Sequence, residues 1–430
     1  MVRRRVFLQD CETTVKITGP IETFWYSRNM TASLNPIDRF SRSIQRFIHL
    51  ESSGGLMLII ATLLAMAVKN SDLSELYINA LNIQGQVRLG ALSIEKPLFL
   101  WVNDGWMAIF FFVVGLEIKY ELIHGHLSDR SQLILPLAGA VGGVVVPAGI
   151  YLLFNWHDPV GFKGWAVPTA TDIAFALGVL AAVGSRIPVA LKVFLMTLAI
   201  LDDLMAIVII ALFYTSGLSI TALVSAALVI VVMILLKVIG LRSSSPFLIL
   251  GAILWVCVLK SGVHATLAGV VTAFFISTGI SDGQSQSPAK SMIEDLHPWI
   301  AFVILPVFAL ANAGISFEGL NLSRLLEPVP LGITLGLFIG KPVGVMLCVG
   351  AVVLTGLTRL PKDVNWLQLF GVAVLCGVGF TMSLFVGGLA FAEGGSGYAR
   401  IDRLGILLGS GLSAVIGYLI LLISTREKSK

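Results

Sequence analysis

Charge is what this chain lacks most. Only 13 % of its 430 residues are Asp, Glu, Lys or Arg, about half the roughly 25 % of an ordinary soluble domain, and so little charge cannot coat the surface of a soluble protein of this length. Cysteine is scarce too. Cys11, Cys257, Cys348 and Cys376 show no C-x-x-C spacing, and three of them sit in apolar runs, which excludes a disulfide scaffold and a zinc site. What is present is hydrocarbon: 56 % of the residues are hydrophobic and the mean hydropathy is +0.91, which excludes intrinsic disorder and a collagen-like chain and makes this a membrane protein. The net charge of +4 would point to nucleic acid only if clustered on a soluble face. The one basic cluster, Arg3-Arg4-Arg5, reads instead as a cytoplasmic tail beside a bilayer.

Apolar runs long enough to cross a roughly 30 Å hydrocarbon core as helices fall near 54–68, 99–119, 132–154, 166–183, 188–214, 219–240, 246–261, 264–278, 296–314, 329–356, 366–391 and 403–424, twelve in all. The expected fold is an all-α polytopic membrane protein. A basic N-terminal tail covers 1–42, a membrane domain 43–424 and a short C-terminal tail 425–430. No early apolar segment with a small-residue cleavage site precedes the first run, so that run reads as a retained span rather than a signal peptide. An even number of spans puts both termini on one side. Twenty of the 29 Lys and Arg fall on that side, eight on the other and Lys341 inside the membrane, so both termini are expected in the cytoplasm. On the outer side, Gly85–Leu89 and Leu92–Glu95 flank Gly90 and predict a small β-hairpin.

The informative residues are the ionisable ones within spans: Asp104, Asp172, Asp202, Asp203 and Lys341. Each costs roughly 2.5–3.5 kcal/mol at mid-membrane on insertion scales, so together they demand pairing or a watery cavity. Asp202 and Asp203 are adjacent on one helix, their side chains about 100° apart, and should have different partners. Four acids against one lysine leave a carboxylate excess, which fits a hard cation bound through oxygen or protons in its place. No resident cofactor is implied.

Two spans carry their own interruption. Pro168 removes a backbone donor just before Thr171 and Asp172, and Gly377 and Gly379 permit unwound backbone next to Thr381 and Ser383. Both breaks fall mid-span, where non-helical backbone survives only against protein or a water-filled cavity. They also lie at the centre of spans 3–5 and 10–12, triplets that begin on opposite sides of the membrane, which predicts an inverted-topology repeat with two broken helices, spans 4 and 11.

Taken in order, Thr171-Asp-Ile-Ala-Phe-Ala-Leu-Gly178, Leu201-Asp-Asp203, Leu259-Lys-Ser-Gly-Val-His-Ala-Thr-Leu-Ala-Gly269 and Ile339-Gly-Lys-Pro-Val-Gly344 resemble the NhaA family of bacterial sodium/proton antiporters. The resemblance runs from about residue 44 to 424. That family is itself a known example of inverted repeats, so the symmetry and the resemblance are not independent. The resemblance implies that the two broken helices cross, that Asp203 and Asp172 form the cation and proton site with Thr171 as a nearby oxygen, and that Asp202 is salt-bridged to Lys341. It implies a pH-sensing cluster at Glu117, Glu121 and His297. There the chain departs from the family: Tyr120 replaces an arginine, and Ile293-Glu294 replaces a Glu-His pair. Glu294 and His264 are further sensing candidates. It implies electrogenic, pH-regulated exchange of Na+ or Li+ for H+ across the bacterial inner membrane, and a homodimer formed through the hairpin around Gly85–Glu95.

Burial and like charge favour the protonated form of a carboxylate, so sodium and protons would exclude each other at one shared site. An intramembrane aspartyl protease would need two facing acids, which Asp202 and Asp203 cannot supply, and a retinal pigment would need a seven-span bundle. A proton-coupled symporter of a small solute is the remaining alternative.

Overall fold

The computed structural model describes residues 53–90, 92–125, 130–184, 186–215, 217–279, 286–317, 322–361, 363–392 and 401–426. The expected tail over 1–42 lies outside the described residues, as do residues 427–430. The described chain is helical almost throughout, as expected where lipid offers the backbone no hydrogen-bond partner. Helix α1 (Ser53–Lys69) turns through 112° into α2 (Ser74–Asn82). Strands β1 (Gln84–Leu89) and β2 (Leu92–Pro97) pair antiparallel with Val87 opposite Ile94. Gly90 makes the turn at φ +60°, a conformation that glycine adopts without penalty, so the predicted hairpin is present with its expected turn.

Then come α3 (Leu98–His124), α4 (Arg130–Asn155), a 3-10 segment (Gly161–Thr169), α5 (Ile173–Val183), α6 (Val189–Phe213) and α7 (Ile220–Val238). The second half contains α8 (Ser245–Ser261), α9 (Leu267–Phe275), α10 (Pro288–Asn312), α11 (Pro328–Leu354), α12 (Trp366–Leu375), α13 (Phe380–Ala390) and α14 (Ile401–Arg426).

A helical segment occupies each of the twelve expected places, but crossing length is less general. Among the described residues, eight helices are long and apolar enough to span, and ten if each of two bent pairs counts as one span. The shortfall is at α8 and α9, with 17 and 9 residues. Gly262, left-handed at φ +85°, ends α8. The carbonyls that end α9 are taken by lysines from other helices: Lys119 donates to those of Phe274 and Ile276, and Lys237 to that of Phe275. Nine residues rise about 14 Å, half the hydrocarbon thickness.

Small residues let the helices touch, the usual solution where lipid removes the hydrophobic drive between them. Gly142 on α4 and Gly344 on α11 meet so closely that a Cβ on either would run into the other's carbonyl oxygen. Gly269 on α9 likewise lies against the Ala108 carbonyl of α3. On the outside, α7 buries only Ala226 and Met233, leaving an apolar face suited to lipid.

Among the described residues, three helices contain a wide π-type turn: Trp101–Trp106 in α3, Ile300–Ile304 in α10 and Gly336–Gly340 in α11. Such turns insert a residue and rotate the rest of the helix, and they concentrate at functional positions. The first carries Asp104 and the third ends immediately before Lys341.

Candidate functional site

The two sequence breaks lie against each other. Pro168, inside the 3-10 segment, has no N–H to donate to the preceding turn; the segment stops at Thr169, and Ala170 and Asp172 are extended before α5 begins. The backbone N–H of Asp172 donates to the Val378 carbonyl in the other break (2.7 Å), and Ser383 Oγ donates to the Val167 carbonyl (2.8 Å). The α12–α13 break bends the chain by 44°. The unwound backbone expected at its glycines is present between α12 and α13, and neither Gly377 nor Gly379 needs a positive φ for it. Close approach requires them, because a Cβ on Gly377 would meet the Leu337 carbonyl and one on Gly379 would lie 2.9 Å from the Ala170 carbonyl.

Asp172 caps both half-helices. Its Oδ1 accepts from Phe175 N in the first turn of α5 (2.9 Å), and its Oδ2 accepts from the backbone N–H (3.0 Å) and the hydroxyl of Thr381 in the first turn of α13. An anion at two helix N-termini offsets the partial positive charge of both. Lys341 does the opposite work, donating to the carbonyl of Thr169 where the 3-10 segment ends and to Asp202 Oδ2 (2.6 Å). Both side chains of that ion pair are fully buried. The Thr171 hydroxyl lies 2.6 Å from Asp202 Oδ2 and 2.9 Å from the Cys376 carbonyl, so Thr171 sits between the Lys341–Asp202 pair and the second break.

Asp203, next along α6, is 3 % exposed. Its Oδ1 and the Oδ1 of Asp202 have no hydrogen-bond partner among the described residues. A buried carboxylate oxygen without a donor is expensive, and the remedy is a proton or a cation. No group of three or more His, Cys, Asp or Glu among the described residues is arranged to hold a metal ion. The oxygens at hand are carboxylates, the Thr171 hydroxyl and backbone carbonyls. That donor set suits a hard cation.

Asp104 stands apart from these acids. Its partner is Lys96 of the hairpin (2.6 Å), and its second oxygen faces His264 Nε2 at 3.8 Å. All three line a cleft of about 500 Å³ with Lys163, Tyr214 and Phe385. His264 also contacts Thr266 through Nδ1 (2.8 Å) and meets Phe385 edge-on. Of the remaining sensing candidates, Glu117 and Glu121 lie on α3, against which the first turns of α10 pack. Glu294 on α10 is exposed beside Lys290 (3.9 Å), and His297 is exposed one turn on. The structure therefore puts His264 with Asp104 rather than with the glutamates. Tyr120 lies beside His124, their ring centroids 5.3 Å apart and their planes tilted by 45°.

Several contributors are not legible in the sequence. Lys96 reads there only as a loop charge. The carbonyls of Cys376 and Val378 carry no side-chain signal, and Ser410, whose Oγ accepts from Phe380 N at 3.1 Å, is one serine among several in an apolar helix. The π-turn before Lys341 has a signal in Gly336, Gly340 and Pro342, since glycine and proline loosen the local helix.

Comparison with known proteins gives one consistent picture. The family model described as Na+/H+ antiporter 1 matches residues 45–421. A protein of Pseudomonas putida named Na(+)/H(+) antiporter NhaA 1 is 54 % identical over 384 residues, covering 89 % of this chain and 96 % of its own length. A Shewanella amazonensis protein named Na(+)/H(+) antiporter NhaA is 54 % identical over 377 residues, covering 88 % of this chain and 96 % of its own.

Proposed function

Because the chain belongs to the Na+/H+ antiporter 1 family, we propose that it exchanges Na+ for protons across a membrane at the buried carboxylates beside the two breaks. The observation that carries the site assignment is Asp203: fully enclosed, one helical position from an acid already paired, with an oxygen that meets no donor among the described residues.

Asp203 is the exchange ligand in this reading. A carboxylate out of water needs either a proton or a cation, and both cannot share the same oxygen, so each expels the other. Asp172 contributes charge: with three donors on its two oxygens it holds the half-helix ends in register and biases the cavity toward cations. Asp202 and Lys341 hold the wall of the site, with Thr171 bridging to the second break. Li+, another small hard cation, replaces Na+, and K+ is too large. Exchange of more protons than sodium ions makes the cycle electrogenic. Glu117, Glu121, His264, Glu294 and His297 are the groups through which pH would regulate it.

Twelve spans arranged as inverted repeats, a bacterial inner-membrane location with cytoplasmic termini, and a homodimer joined through the β1–β2 hairpin complete the proposal. Symport of an organic anion is disfavoured, since carboxylates lining a site repel anions.

The test is proton movement in sealed vesicles holding purified protein and an internal pH dye. A sodium pulse should move protons against the sodium flow while a potassium pulse does not, and Asp203→Asn should abolish the response. Sodium-dependent proton movement retained in the Asn variant would refute the site assignment, and silence of the intact wild-type protein at every pH would refute antiport.

A further inference from the structure

The first turn of α13 is gripped from two sides. Its opening N–H groups have no helical partner because the break has removed the preceding turn. Thr381 N goes to Asp172, while Phe380 N goes to Ser410 Oγ on α14, with Ser410 5 % and Phe380 3 % exposed. Consecutive N–H groups sit about 100° apart around a helix axis, so the two acceptors together fix the rotation of that turn. The same rotation aims both the N–H and the hydroxyl of Thr381 at Asp172.

We propose that Ser410 is a positioning residue for exchange: by holding Phe380 N it keeps both donors of Thr381 on Asp172 and so sets how well protons compete with Na+ at the site. This rests on the site assignment made above. Ser413 supplies an internal comparison. It lies nearly one turn further along the same helix, is buried like Ser410, and has no hydrogen-bond partner for its hydroxyl among the described residues.

Without the Ser410 acceptor, the turn is free to rotate, Asp172 loses part of its donor set and protons displace sodium more readily. A neutral hydrogen bond is worth about five-fold in an equilibrium. Ser410→Ala should therefore raise the apparent KM for Na+ about five-fold at fixed pH and move the pH–activity midpoint to the alkaline side. The maximal rate at saturating Na+ should stay within about two-fold of wild type. Ser410→Thr, which keeps the hydroxyl, should restore most of the KM, and Ser413→Ala should leave both readouts unchanged.

The experiment is the vesicle assay above, run on folded protein recovered by size exclusion. If Ser410→Ala is not recovered, Ser410→Cys, nearly isosteric but a weaker acceptor, should show the same shifts at smaller size. An unchanged KM and pH midpoint in Ser410→Ala or Ser410→Cys, or equal shifts in Ser413→Ala, would overturn the inference. Wild-type exchange in the same vesicles separates that outcome from failure of the antiport reading itself.

Discussion

Lys341 offers the sharpest test of how the site is held together. Its ammonium lies 2.6 Å from Asp202 Oδ2, both side chains are fully buried, and it also donates to the carbonyl of Thr169. Lys341→Met keeps most of the volume, which matters because the lysine Cε lies 3.3 Å from where a Cβ on Gly143 would be, and it removes the charge. Asp202 is then left with the Thr171 hydroxyl as its donor and one oxygen that already lacks one. Breaking a buried pair from one side costs about 3–5 kcal/mol, because the surviving charge is stranded in the interior without its counter-ion. Replacing both members removes that penalty, so Asp202→Asn with Lys341→Met should recover most of the loss, with a coupling energy of about 3 kcal/mol. Thermal unfolding of the detergent-solubilised protein, followed by fluorescence on size exclusion, should fall by roughly 4–8 °C in the single Lys variant and rise again in the double. A single variant as stable as wild type, or a double whose loss equals the two singles together, would refute the buried pair.

Three further substitutions test two separate links. Gly344→Ala places a Cβ against the Gly142 carbonyl and should destabilise the α4–α11 contact by about 1–3 kcal/mol, whereas Gly350→Ala, with nothing within 4 Å of its Cβ, should be neutral in the same unfolding assay; equal stability of the two variants would contradict the close approach. Thr381→Val removes the hydroxyl on Asp172 and keeps its shape. A hydrogen bond to a charged acceptor is worth about 1.5–3 kcal/mol, so the apparent KM for Na+ in vesicles should rise at least about ten-fold, and an unchanged KM would remove Asp172 from the exchange.

The features legible in the sequence are those decided locally. Pro168 and the pair Gly377 and Gly379 mark the breaks because a missing N–H and a missing Cβ act within a turn of where they occur. The hairpin is readable because Gly90 has two short runs beside it. Sequence patterning fails where a distant element decides. Hydropathy makes α9 a full span, but it has nine residues, and the carbonyls at its end are taken by Lys119 and Lys237 from 155 and 38 positions away, which hydropathy does not register. Asp104 patterns with the buried acids, although Lys96 from the hairpin neutralises it. The glycines of the second break mark the unwinding in the sequence, but the space they leave for Leu337 and Ala170 of other segments is not readable there.

The division among the buried acids has a physical logic that neighbouring positions on one helix make visible. Asp202 and Asp203 project about 100° apart, so that Asp202 makes the ion pair with Lys341 and Asp203 does not. The lysine is consumed by holding the break: a cation at the carbonyl end of one half-helix and an anion at the amide ends of two others neutralise partial charges that the interrupted backbone would otherwise leave bare in a low-dielectric medium. Lys341, Asp202 Oδ2 and Asp172 are engaged in that task, while Asp202 Oδ1 and Asp203 Oδ1 have no donor among the described residues; in the exchange proposed above, Asp203 is the acid whose compensation, a proton or a cation, comes and goes. On that proposal, an acid with an exchangeable partner beside acids held by fixed ones is what a carrier of alternating cations requires, and the broken backbone that creates the fixed partners belongs to the same device.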